Sequence, residues 1–226
     1  MKTSSSSAKK SSINDRLVTS LNKLKDMPID EKFDEVSLPV YLHKNFLVRK
    51  IFLDRFRVAY GITNFKDKTV LDYGCGSGIF LDSLSSELKN GIGVDLDITI
   101  AKKVITSEKI ILKQIKHHDE LRDLSEVDII TSFDVLEHVI EFESLLKLFQ
   151  NLLYSSGEII ISGPTENLLY SLARKIANIG IKGNLKGGQE HVRNITDIKN
   201  KMIEAGFVIK KEVSLWNLFK VVSFTK

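Results

Sequence analysis

The stretch VLDYGCGSGIF, residues 70–80, decides how the chain is read. Val70 and Leu71 lead through Asp72 and Tyr73 into Gly74, Gly76 and Gly78, and an apolar segment resumes at Ile79. The pattern predicts a buried strand, a tight turn and a helix. Glycine loses more conformational freedom on ordering than any other residue, so glycines this dense mark a turn that needs bare backbone. In an open α/β sheet such turns stand at the carboxyl ends of strands, where the strand order reverses and ligands bind. Backbone N–H groups and the start of the next helix then face the ligand.

The chain around this stretch keeps the same grammar. Strands are expected over 70–73, 91–95, 110–115, 127–132 and 158–162, and helices over 79–88, 98–105 and 142–153. That alternation predicts a parallel sheet with helices on both faces. The end differs. A helix over 195–205 stops at Gly206, and FVIKKEVSLW and LFKVVSFTK are strand-like runs joined too closely for a helical crossover. They should pair as an antiparallel hairpin. Residues 12–63 read as helical, best over VYLHKNFLVRKIFLDRFRVAY, with Pro28 and Pro39 separating two or three helices. The expected division is a disordered tail over 1–12, a helical lid or cap over 13–65 and an α/β domain over 66–226, with a lid insertion at 163–191.

The 226 residues are 42% hydrophobic and 27% charged, the balance of a globular chain able to bury a core. No apolar run approaches a membrane span, and MKTSSSSAKKSS lacks the apolar centre of a secretion signal. A lone Cys75 cannot close an internal disulfide, which fits a reducing, cytoplasmic setting. The net charge is +4, but Lys2, Lys9 and Lys10 lie in the Ser-rich tail, and without them it is +1. Charge thus gives no argument for a nucleic-acid partner, and none is expected.

Asp72-Tyr73-Gly74-Cys75-Gly76-Ser77-Gly78 is an acid followed by alternate glycines. A dinucleotide-binding Gly-x-Gly-x-x-Gly would need glycine where the chain has Ile79. The stretch instead resembles the first motif of the class I S-adenosylmethionine-dependent methyltransferases. Further likenesses follow in order: GIGVDLD at the second strand, VDIITSFDVLEHV at the fourth, LLYSSGEIIISGP at the fifth and EHVRNITDIKNKMIEAGF before the hairpin. The resemblance covers roughly 68–226. It implies a Rossmann-like, doubly wound seven-stranded sheet with an antiparallel last strand, and S-adenosyl-L-methionine as cofactor. It also implies cofactor contacts from Asp72, Gly74, Cys75, Gly76 and Gly78. Asp95, about 20 residues beyond the loop, has the spacing of a ribose-binding acid. By resemblance Leu96 lies against adenine, and Ser132 and Phe133 meet the methionine end. The polar group that holds the adenine amino group after the third strand has no clear register in KHHDELRDL, and Asp119 is taken for it. Cys75 is expected to be a small side chain in the loop, not a nucleophile.

Methyl transfer depends chiefly on orientation, and a hydroxyl acceptor also benefits from a general base. His138, after the fourth strand, and His191, between the fifth strand and the next helix, are the candidates, each weighed against a structural role. Asp134, Glu137 and His138 resemble an acid-x-x-Glu-His pattern that can hold a divalent ion in ubiquinone-pathway O-methyltransferases. The pattern also occurs in relatives without metal, and no metal is assigned. The adjacent His117 and His118 could suggest a metal, but neighbours on a strand point to opposite faces, and a solvated loop is the reading taken. SFDV stands where enzymes acting on amide or exocyclic adenine nitrogens carry an Asn/Asp-Pro-Pro-Tyr motif, which argues against those acceptors. An apolar face from Leu168, Leu169, Leu172, Ala173, Ile176 and Ala177, beside Arg174 and Lys175, suits a lipid-linked acceptor or peripheral membrane contact through 166–181. The reading is methyl transfer to a small-molecule or lipid- or polysaccharide-linked acceptor, at oxygen. Transfer to RNA or protein, and a non-catalytic S-adenosylmethionine-binding module, are the alternatives; the oligomeric state stays open.

Overall fold

The computed structural model describes residues 12–25, 27, 41–165 and 193–226. Two helices come first, α1 (Ile13–Lys25) and α2 (Phe46–Ile62). Then follow β1 (Thr69–Tyr73), α3 (Ile79–Leu84), β2 (Asn90–Asp95), α4 (Ala101–Val104) and β3 (Ile110–Gln114). The second half holds β4 (Val127–Phe133), α5 (Phe142–Leu152), β5 (Leu153–Pro164), α6 (Ile195–Glu204), β6 (Val208–Leu215) and β7 (Phe219–Thr225). Short 3₁₀ turns, His118–Leu121 and Leu136–His138, follow β3 and β4.

The seven strands lie in the order β3-β2-β1-β4-β5-β7-β6. The first five pair in parallel, and β7 runs antiparallel between β5 and β6. This is the doubly wound sheet with an antiparallel last strand. The chain builds outward from β1 to β3, then returns to lay β4 on the other side of β1. The glycine loop therefore leaves the sheet where the strand order reverses, the place open α/β sheets use for ligands.

Alternation along each strand divides the core. Val70, Ile129, Ile160 and Val221 join the cluster that includes residues of α1 to α4, whereas Leu71, Ile130, Ile161 and Val222 join α5 and α6. Both faces are buried, which is why the strands read as nearly continuous apolar runs.

Residues 13–65, expected as a lid or cap, supply helices that pack into the first cluster with β1 and α3. Helix α1 starts on a capping box: the Asp15 N–H donates to the Ser12 hydroxyl, and the Asp15 carboxylate accepts from the Ser12 N–H. It buries Leu17, Leu21 and Leu24, and Lys23 pairs with Asp82 of α3 at 2.8 Å. The tail 1–11, Pro28, Pro39 and the segment 166–192, with its expected lid, lie outside the described residues.

Several bounds differ from expectation. Helix α3 closes at Leu84, where the Glu87 N–H bonds the Leu84 carbonyl, and the expected helix over 98–105 shortens to Ala101–Val104. The gap expected between the helix over 142–153 and the strand over 158–162 is a bulge within β5, because Val127 pairs with Leu153 while Ile129 pairs with Glu158. A Cβ at Gly157 would meet Leu153 Cγ at 2.5 Å and the Asp128 carbonyl at 2.9 Å. Glycine there reflects close packing.

Candidate functional site

The three loop glycines have φ of +78° (Gly74), +51° (Gly76) and +74° (Gly78), the left-handed region that glycine occupies without strain. A Cβ on Gly74 would stand 2.2 Å from Val135 Cγ2, and one on Gly78 would stand 2.7 Å from Ile105 Cδ1. The loop is also pinned to the end of β2. The Gly74 and Cys75 N–H groups donate to the Val94 carbonyl at 2.8 and 3.0 Å, and the Gly76 N–H donates to Asp95 Oδ2 at 2.7 Å. Cys75 is buried, its Sγ 3.1 Å from where a Gly93 Cβ would lie. The small side chain therefore fits between the loop and β2.

Two carboxyls stand beneath this loop. Asp72 is buried and accepts a 2.6 Å hydrogen bond from the Thr131 hydroxyl. Burial raises its pKa to about 7, and the Asp95 charge adds to the rise against that hydrogen bond. Burial also raises Asp95, opposed by the backbone N–H groups of Gly76, Asp97 and Leu96. Tyr73 is pushed up to about 12, mainly by burial. A ligand that brings hydroxyl donors or a positive charge to this pair would relieve two acids kept from water.

The end of β4 forms the opposite wall of the switch point. Ser132 is fully buried, and its hydroxyl finds no hydrogen-bond partner among the described residues. The Phe133 ring packs edge-on against Phe56 and Phe80, with centroids 5.1 and 4.8 Å away. Asp134 turns the chain at φ +55°, its N–H bonded to the Ser162 carbonyl. Its carboxylate accepts from the Ser162 hydroxyl and pairs with Arg55 of α2. The Arg55 guanidinium is buried, with the rings of Phe52 and Phe219 at 4.6 and 4.8 Å. Glu137 is buried, and His138 is half-buried at the end of its 3₁₀ turn. His191 lies outside the described residues.

On the β2–β3 side, Leu96 is exposed, and its carbonyl accepts from Gln114 Nε2 at 2.7 Å. Asp119 sits exposed on the 3₁₀ turn, its carboxylate 2.8 Å from Arg122. The expected solvated loop holds for His117, which is exposed, but not for His118, which is buried. They stand at the start of that turn, not on a strand, and their rings lie together with centroids 4.1 Å apart. Burial, followed by the charge of His117, lowers the pKa of His118.

Sequence reasoning passed over Thr131, Gln114 and Arg55. A signal existed for the last: Arg55 falls at helical spacing among Phe52, Phe56 and Ala59, so α2 carries a cation on its apolar face. Elsewhere, a groove of about 450 Å³ between α2 and β6, lined by Asp54, Arg57, Val58 and Leu215, lies at the far edge of the sheet from β2. It takes no part in this site.

Residues 42–212 match the family model described as "Methyltransferase domain". The chain belongs to this methyltransferase family. Among curated relatives it is 30% identical over 115 residues to a ubiquinone biosynthesis O-methyltransferase of Cupriavidus pinatubonensis, covering 48% of this chain and 46% of that one. It is 29% identical over 153 residues to the enzyme of the same name from Hydrogenovibrio crunogenus, covering 63% and 61%. The chain thus matches about half to three-fifths of the length of these relatives. Solved structures share the fold. A SAM-dependent methyltransferase from Aquifex aeolicus aligns with a TM-score of 0.60 at 18% identity, over 90% of this chain and 97% of that one. The N-methyltransferase NodS from Bradyrhizobium japonicum, in complex with S-adenosyl-L-homocysteine, aligns with 0.61 at 12% identity, over 92% and 98%. The fold is that of class I S-adenosylmethionine-dependent methyltransferases. Among the described residues no helix is long and apolar enough to cross a membrane.

Proposed function

We propose that this chain transfers a methyl group from S-adenosylmethionine to a small-molecule or lipid- or polysaccharide-linked acceptor, at oxygen. The observation that carries the reading is the 2.7 Å bond from the Gly76 N–H to Asp95 Oδ2, which closes the glycine loop onto the end of β2 at the switch point. The residues present fit the cofactor: a left-handed glycine turn gives close backbone approach, Asp95 offers acceptors for paired hydroxyls, and the Ser132 hydroxyl has no partner within the described residues. Bound there, the cofactor supplies an electrophilic methyl carbon. The protein's task is then to hold and orient.

In this reading Asp95 grips the ribose, Leu96 lies along the adenine, and Asp72 with the loop backbone of Gly74, Cys75, Gly76 and Gly78 sets the floor. Ser132 and Phe133 flank the methionine end. Asp119, whose Oδ1 is paired with Arg122, is the candidate for the adenine amino group, and Gln114, bonded to the Leu96 carbonyl, is a second polar group on that side. An imidazole nitrogen of His138 takes the proton from the acceptor hydroxyl, with His191 as the second candidate. Oxygen as the acceptor atom is favoured by the names of the curated relatives, ubiquinone biosynthesis O-methyltransferases. The segment 166–181 and the helices of 13–65 would cover the acceptor.

Calorimetric titration with S-adenosylhomocysteine, with NAD as control, tests the cofactor. Micromolar binding of the first alone is expected, and binding of neither would remove the assignment. His138→Ala should then lose turnover while keeping cofactor affinity. Unchanged turnover would exclude it as the base.

A further inference from the structure

The geometry points to a site for one zinc-class divalent ion formed by His117, His118 and Glu141, distinct from the glycine loop. One ring nitrogen of each histidine and a Glu141 carboxylate oxygen all lie within 4.8 Å of one another. His117 Nε2 lies 3.3 Å from Glu141 Oε2. Tetrahedral zinc, with bonds of about 2.0–2.1 Å, sets neighbouring ligand atoms about 3.3 Å apart. That pair already has the required separation, and the rest of the group is gathered within 4.8 Å, where rotation of an exposed glutamate and an exposed imidazole can bring the ligand atoms together.

The surroundings orient the buried ligand. The His118 side chain is only 4% exposed, and its Nε2 lies 2.6 Å from the Ser144 hydroxyl oxygen. The single Ser144 proton goes to the Glu141 carbonyl at 3.0 Å, so the hydroxyl accepts from His118 Nε2–H. In that tautomer Nδ1 carries the lone pair that would ligate, the arrangement in which metal-bound histidines donate their second ring N–H to an oxygen. His117 Nδ1 accepts a long, 3.3 Å bond from the Asp119 N–H, which is given up if Nε2 ligates. Two imidazoles with one carboxylate suit zinc and the late first-row ions, not magnesium or calcium, which take oxygen ligands. The ion would clamp the turn after β3 to the residue that opens α5.

The test uses the full chain, stripped with a chelator and titrated calorimetrically with zinc chloride, then with cobalt chloride, whose visible absorption reports coordination geometry. One ion per chain is expected. His117→Ala and Glu141→Gln should each weaken zinc binding by about tenfold or more, and both residues are exposed, so circular dichroism should show the fold intact. Zinc should also raise the melting temperature of the unsubstituted chain and not that of His117→Ala. No stoichiometric binding, or binding that both variants retain, overturns the site. Binding lost instead in His138→Ala would place the ion at the turn after β4 and overturn it equally.

Discussion

Replacing Asp72 by asparagine should stabilise the protein above pH 7 and flatten its dependence on pH. Asp72 is buried under the glycine loop and titrates at about 7, not at its ordinary 3.8. The unfolded chain, which exposes it to water, ionises near the ordinary value. Between these values the folded state holds a proton that the unfolded state has released, so the free energy of unfolding falls as pH rises. Below pH 3.8 both states are protonated and the difference vanishes; above about 7 both are ionised and the full penalty is in place. At about 1.4 kcal/mol per pH unit, the span corresponds to about 4 kcal/mol. This is a ceiling, since Asp72 and Asp95 interact and titrate as a pair. Asparagine keeps an Oδ1 acceptor for the Thr131 hydroxyl and nearly the same volume, so the charge goes without opening a cavity. Urea unfolding of the unsubstituted chain and D72N at pH 5 and pH 8 is the assay. A gain of several kcal/mol at pH 8 that shrinks markedly at pH 5 is expected. Parallel pH profiles, or a D72N variant less stable at pH 8, would refute the reasoning, because Asp72 would then be held ionised by a favourable partner.

Four further substitutions test the same geometry. Gly74→Ala places a Cβ 2.2 Å from Val135 at φ +78° and should cost about 2–4 kcal/mol by thermal or urea unfolding. Gly61→Ala, in α2 with nothing within 4 Å, should instead stabilise by about 0.5–1 kcal/mol. Arg55→Met strands Asp134 without its cation and should cost about 3 kcal/mol in urea unfolding, the low end for a broken buried pair because Asp134 is partly exposed. The double variant with Asp134→Asn should recover much of that loss. Asp95→Ala should weaken S-adenosylhomocysteine binding by about 1–3 kcal/mol in calorimetry, and retained affinity would remove Asp95 from the cofactor site.

What was legible in the sequence is what short stretches of chain encode. Alternating strands and helices, the hairpin at the end and the glycine turn are local patterns, and each appears in the sheet where expected. Element ends were less legible. The gap expected between the helix over 142–153 and the strand over 158–162 proved to be a bulge because the register between β4 and β5, a pairing distant in sequence, decides it. His117 and His118 were misread for a related reason. The strand stops at Gln114, and the two adjoining rings belong to a turn whose cap is His117 itself.

The least legible part is the contact between α2 and the end of β4, and it bears most on how the site is held. Phe133 and Asp134 are adjacent residues at the switch point, and both are gripped by the N-terminal helix: Phe133 by the ring of Phe56, Asp134 by Arg55. Neither partner carries a motif, and each looks like an ordinary member of an amphipathic helix. Asp134 adopts a left-handed backbone that costs a non-glycine residue free energy, and such conformations persist only where surrounding contacts hold them. Here the Ser162 carbonyl and hydroxyl hold it from β5 and Arg55 holds it from α2. Residues 13–65 therefore do more than stand over the sheet. Without α2, Asp134 would lose its cation and Phe133 one of its two ring neighbours. The strand end would then be free to relax toward ordinary backbone angles, and Ser132 and Phe133 would shift with it. A truncation that begins after α2 is accordingly expected to lose S-adenosylhomocysteine binding even though every motif of the glycine loop remains in the chain. If the truncated chain folds by circular dichroism and binds with unchanged affinity, the strand end is set by the sheet alone and the role given to Arg55 is wrong.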